Sequence, residues 1–471
     1  MRTSQNFSIA FVFALLFWVS GCGSSADVDG AGGGFSSDSS SPPTALTIRH
    51  VVQRAIDSEV AELRVRVLDV QGGQVQIEQS FAASALVELT VPPNAATVEI
   101  DYLDATSVPM GSFATSVDPN AGPIVIENPA WVDTEDRDPT VYRFAFMGCN
   151  RLSFDDLSAD NPSSANRAQL LADFNTLPSV SPAVSHLFFA GDLVANLDPG
   201  TATLQSQLTA WLELFQTTAL AQSSIQMVTF TGNHEVLESQ DDPDTGESVE
   251  VPNPATLPVW VSLMESFIAG SNGPTTAAPN LDQVTQDQSR LSYSFQDGNV
   301  LYVILNTDTF IDLVTLGDVP LNWLQQTLAQ AEADNTVEHV FVMGHKPIVS
   351  PPGATEGPGA GSIRTEEKSP FAQLLAGNSK VRGYLCAHAH LWDYATLEGG
   401  TPQVIAGNGG SKVEPPFDDT GRGFYGYTLY SLHASGTVHL ESWGRPVPDP
   451  YNAPGPQPEA TLRERRLLVD F

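Results

Sequence analysis

Between Thr44 and about Ala130, apolar and polar residues alternate in short runs. Leu63, Val65 and Val67 interleave with Arg64 and Arg66, and Val87, Leu89 and Val91 with Glu88 and Thr90. Val98, Ile100 and Tyr102 do the same with Glu99 and Asp101. A period of two sends successive side chains to opposite faces of a strand, and Gly and Pro punctuate the runs. Residues 44–130 are therefore expected to form a small antiparallel β-sandwich. Further on the pattern changes to strand-like apolar runs at Leu187–Phe189, Met227–Phe230, Val340–Met343 and Tyr384–Cys386. Between them Leu204, Leu208, Trp211, Leu212 and Phe215 fall on one helical face, as do Leu321, Leu324, Leu328 and Ala331. Alternating strands and helices predict an α/β class for this part. No internal repeat is present.

The N-terminus has a different character. Arg2 precedes an apolar stretch from Ile9 to Val19, too short for a full membrane span, so residues 1–22 are expected to be a targeting segment. Val19-Ser20-Gly21-Cys22 resembles a bacterial lipobox, which implies cleavage before Cys22, acylation of that cysteine and an extracytoplasmic, membrane-anchored lipoprotein. An ordinary secretory signal is the other reading. Residues 23–43 are almost all Gly, Ser, Ala and Asp, as in a flexible tether.

The chain has 471 residues and a formal charge of −34, from 21 basic and 55 acidic side chains. So acidic a chain argues against nucleic-acid binding through a basic patch. Lys346 and Lys412 lie beside candidate site segments, either as a local positive spot or as solvated surface. Glu238 to Glu250 holds six acids without the register of a calcium loop, and reads as a solvated insertion.

Candidate chemistry follows the apolar runs. Gly191-Asp192, Gly232-Asn233-His234-Glu235, Gly344-His345 and His388-Ala389-His390 each stand just after one of them. A carboxylate, an amide and four imidazoles thus gather where a parallel sheet collects its loops. That donor mix suits borderline-to-hard metal ions better than a lone structural zinc.

These motifs, in this order, resemble the calcineurin-like metallophosphoesterase superfamily, over about residues 141–444. The resemblance implies a four-layer α/β/β/α sandwich, its second sheet completed by Gln403–Ile405, Tyr425–Leu432 and Thr437–Trp443. Residues 445–471 would then be a Pro-rich, later basic tail that drapes over the domain or stays mobile. The resemblance also implies hydrolysis of a small phosphate monoester or diester at two metal ions, iron plus zinc, manganese or a similar ion. Asp192 would bridge the ions, with Asn233, His345 and His388 on one and His390 on the other. His234 would act on the phosphate rather than on metal. The first motif departs from the family pattern: Cys149 stands at the usual aspartate and Arg151 at the usual histidine. Cys149 is expected as a ligand, as in the secreted phosphodiesterase/alkaline phosphatases of the superfamily, and Arg151 as a grip on substrate phosphate. Two alternatives stay open: a degenerate first site, leaving one metal or a surface lipoprotein that keeps the fold for binding or scaffolding, and a Cys149–Cys386 disulfide.

Overall fold

The chain's structure is a computed structural model that describes residues 44–49, 59–69, 74–83, 86–118, 122–153 (save 128, 130 and 136), 165–243, 245–312, 316–351, 362–413, 422–448 and 457–469. The expected targeting segment, Cys22 and the expected tether lie outside the described residues.

The alternating runs form strands as expected. Glu62–Asp69 pairs antiparallel with Val75–Ala82 and Ala95–Leu103, and Leu63, Val65 and Val67 are all fully buried. A three-stranded sheet (Val87–Val91, Thr44–Arg49, Ile124–Glu127), in which Thr44–Arg49 and Ile124–Glu127 pair parallel rather than antiparallel as expected, contributes Leu46, Ile48 and Val87 to the same apolar cluster. Trp131 stacks on Tyr102 at 4.9 Å there.

The motif strands divide between two mixed sheets. Thr140–Met147, His186–Ala190 and Gln226–Phe230 are parallel neighbours in an eleven-stranded sheet. Val300–Leu305, His339–Gly344, Val381–Cys386 and Pro402–Ala406 are parallel neighbours in a six-stranded one. One apolar cluster joins the two sheets: Phe144 meets Phe341 edge-on at 4.8 Å, and Phe188 meets Tyr302 at 4.6 Å. Other side chains of these strands pack with helices. Phe189 and Leu187 share a cluster with Leu208 and Trp211 of the helix Ala202–Phe215. Val340 and Val342 share one with Leu324 and Leu328 of Leu321–Ala333. The fold is mixed α/β, with large sheets and few helices.

Two sequence expectations change. Phe424–His433 and Val438–Pro446, whose runs were expected to complete the second sheet, instead extend the eleven-stranded one, Phe424–His433 pairing antiparallel with Thr140–Met147. The basic end of the chain is no loose tail: Thr461–Val469 is a strand between Val438–Pro446 and Pro109–Ser116. Arg465 has partners on both neighbouring strands, reaching Glu441 at 2.8 Å and Ser112 Oγ at 2.5 Å, while Leu468 is buried among the apolar residues between the sheets. Through this strand the N-terminal β region and the motif strands share one sheet, so no sheet boundary falls between residues 130 and 141. The acidic insertion forms a hairpin of Leu237–Asp241 against Ser248–Pro252, most of whose residues keep some exposure.

Candidate metal centre

All the sequence motifs lie at or just past the C-terminal ends of parallel strands. The loops after Met147 and Ala190 zip together: Cys149 N–H donates to Gly191 O, and the amides of Asn150 and Arg151 both donate to Asp192 O. Cys149, Arg151, Asp192 and His388 all have φ between +54° and +64°. Left-handed backbone is costly for residues with a β-carbon, and its clustering is typical of functional sites. Gly232 is required by space: a β-carbon there would overlap Asp192 Oδ1 and crowd His345. Glu235 clamps the loop after Ala190 to its own loop after Phe230: its carboxylate accepts from the backbone amides of Asp192 (2.9 Å), Leu193 (2.8 Å) and Gly232 (2.8 Å).

Two groups of donor atoms result, and Asp192 belongs to both. Asp192, His345 and His388 form one, and Cys149, Asp192 and His390 the other, the atoms of each within 4.8 Å of one another. Asn233 joins the first group, its Oδ1 lying 3.1 Å from His345 Nε2 and 3.2 Å from His388 Nδ1. His345 Nδ1–H donates to Ala190 O at 2.6 Å, so its Nε2 turns inward, 3.3 Å from Asp192 Oδ1 and 3.1 Å from His388 Nδ1. His390 is oriented likewise by Lys412 O at 3.0 Å, and its Nε2 is buried without a hydrogen-bond partner. Four acceptor atoms converging at 3.1–3.3 Å repel one another unless a proton or a cation lies among them. Together with the orphaned His390 Nε2, this donor set fits metal ions with mixed O, N and S preference.

Electrostatics follow the same geometry. Burial opposes ionisation of Asp192, but His345, His234 and Arg151 outweigh it and hold the carboxyl well below its usual range. Burial would lower His345 too, and Asp192 outweighs that, so its pKa is raised. Burial pushes His388 well down, and His390 down to about 3. It pushes the Cys149 thiol well up, with Asp192 adding to the effect. A cation beside the sulfur would reverse that.

The other residues singled out from sequence fall around these groups. His234 is buried above Asp192: its backbone N–H donates to Asp192 Oδ1 at 3.2 Å, and its ring Nδ1 has no hydrogen-bond partner. Burial lowers its pKa to about 4. Arg151 donates from Nε to Asp192 Oδ2 at 3.0 Å, and among the described residues nothing engages its two Nη nitrogens. Cys149 and Cys386 are both unpaired. They sit in different clusters, Cys149 between the sheets and Cys386 among the helix-covered residues, while Cys149 Sγ accepts from His388 N–H at 3.0 Å. Lys346 is neither a surface lysine nor a free positive spot: it is buried and its Nζ donates to Asp308 at 2.9 Å.

Three contributors have a place in the site that the sequence motifs did not assign. Glu235 is the loop clamp described above. Glu250, on the acidic hairpin, accepts from Asn233 Nδ2 through both carboxylate oxygens, at 3.2 and 3.1 Å. The third is Gly407-Asn408-Gly409-Gly410-Ser411, whose Gly409 and Ser411 amides donate to Gly148 O and Cys149 O. Its Asn-Gly-Gly composition after a strand is an available turn signal.

No protein-family model and no curated protein matches the chain. Among solved structures it is similar to one described as "Structure of PhoD", with TM-score 0.40 and 11% identity, covering 86% of this chain and 82% of that one. It is also similar to the crystal structure of a dimetal phosphatase from Danio rerio, with TM-score 0.41 and 14% identity, covering 69% of this chain and 99% of that one. Both likenesses are distant, and the chemistry of the site is carried by this chain's own donor atoms.

Proposed function

We propose that this chain is a metal-dependent phosphoesterase of the calcineurin-like type, with a four-layer α/β/β/α catalytic part and an N-terminal β region. The observation that carries the reading is Asp192, a single carboxylate shared by two convergent donor groups. Asn233, His345 and His388 would hold one ion, Cys149 and His390 the other. Bound there, two cations supply Lewis acidity and lower the pKa of water. The remaining work falls to the chain. The Nη groups of Arg151 receive the phosphoryl oxygens, and His234 gives a proton to the leaving oxygen or stabilises its charge. His234 is poised for this because an anionic phosphate beside a buried imidazole raises its pKa. The test is metal analysis of the purified chain beside a panel of phosphate monoesters and diesters. Ester cleavage that survives complete removal of metal would refute the proposal.

A one-ion centre is the second reading, and the Arg151–Asp192 pair favours it. A guanidinium 3.0 Å from Asp192 Oδ2 already supplies positive charge on the side of Cys149 and His390. Metal stoichiometry separates the two: about two ions per chain for the first reading, one for the second. We further propose that Cys22 is acylated and anchors the protein on an extracytoplasmic membrane face. Cys22→Ser should release the protein from the membrane fraction.

A further inference from the structure

We infer that Glu250 is a positioning residue that fixes which end of the Asn233 amide faces the metal centre. The inference rests on the metal reading above. An asparagine amide is nearly symmetric in shape but opposite in chemistry at its two ends: the oxygen can bind a cation and the NH2 cannot. Rotation by half a turn about its last bond would replace a ligand with two N–H donors. Something must therefore hold the nitrogen away from the donor group.

Glu250 is built to do so. An ionised carboxylate only accepts hydrogen bonds, and both of its oxygens lie within 3.2 Å of Asn233 Nδ2. The flipped amide would set its oxygen against that carboxylate and point its N–H groups at the imidazoles. As observed, Oδ1 instead faces His345 Nε2 and His388 Nδ1. The carboxylate is brought in by the acidic hairpin, where Glu250 lies opposite Ser239 in register. Thus one of six acids in a segment that reads as solvated insertion turns back onto the site. Among second-sphere partners of metal ligands, loss of such a contact typically costs about 10–100-fold in metal affinity or activity.

The experiment is calorimetric titration of Mn2+ into the metal-stripped full chain, comparing wild type with Glu250→Gln. The substitution is isosteric and keeps the hairpin's packing, but a glutamine amide accepts either end of Asn233. The expected result is a loss of about 10-fold or more in the binding step that Asn233→Asp itself alters. Loss of charge alone would also weaken a cation, so the same substitution is repeated in an Asn233→Asp background. A carboxylate at 233 has no nitrogen end to hold away, and there the effect of Glu250→Gln should shrink to a few-fold at most. Equal losses in the two backgrounds would make Glu250 a source of charge only and overturn the inference. So would unchanged Mn2+ affinity in Glu250→Gln. A wild-type chain that takes up no Mn2+ would sink the metal reading and this inference together.

Discussion

At the scale of single residues, the site separates groups that hold charge from a group that would act on it. His234 donates to Asp192 from its backbone N–H, and among the described residues its ring Nδ1 has no hydrogen-bond partner. His234→Asn should therefore keep the metal content and lower kcat by about 10²–10⁴, the usual range for general acid–base help. A fall in metal content parallel to the fall in rate would make it a ligand instead. Cys149 is the opposite case, since its sulfur lies in a donor group and accepts a hydrogen bond from His388 N–H. Cys149→Ala should deplete one ion selectively and Cys149→Asp should retain both, read by elemental analysis. Loss of neither ion in Cys149→Ala would leave the thiol a packing residue. The residues of these groups were legible in the sequence because each lies within a few positions of a strand end, and local order carries their identity. Glu250 was not, because choosing it from six acids requires the register of a hairpin, and composition does not contain that.

At the scale of elements, the buried strands carry polar groups whose protonation the fold dictates. His339 opens the strand His339–Gly344, and its Nδ1 accepts from Arg382 Nε at 2.9 Å. Burial first, and then the neighbouring guanidinium, lowers its pKa to about 4. The unfolded chain, with an imidazole near about 6.5, binds more protons between these values. This contribution is fully present above about pH 6.5 and is lost progressively as pH falls towards 4. His339→Gln, which keeps an acceptor for Arg382 without a titrating ring, should flatten the decline of the urea midpoint across that window. An identical slope in the variant would show that His339 is not a source of acid sensitivity. The strands themselves were largely visible from alternation and apolar runs. The C-terminal strand was not, since Arg463-Glu464-Arg465-Arg466 breaks the alternation. Arg463 and Arg465 are stabilised by partners on neighbouring strands, Gly444 O and Glu441, that no local window includes.

At the scale of the molecule, that strand is what makes one sheet of two regions. Thr461–Val469 pairs with Val438–Pro446 along most of its length and with Pro109–Ser116 at Glu464 and Arg465. Without it, the eleven-stranded sheet would divide into two sheets of five strands, each with a newly exposed edge. Leu468 would leave the apolar cluster between the sheets, and Glu441 would lose Arg465. The lost burial of one leucine is worth roughly 2 kcal/mol, and each lost ladder bond roughly 1 kcal/mol net. The sum is comparable with the whole stability of an ordinary domain, about 5–15 kcal/mol. A chain ending at Glu459 should therefore melt well below the intact chain, and its N-terminal β region should unfold in a transition separate from that of the metal centre. Differential scanning calorimetry with and without added Mn2+ reads both effects, because bound metal raises only the transition of the part that holds it. One unchanged transition in the truncated chain would mean that the two regions are joined by something other than this strand.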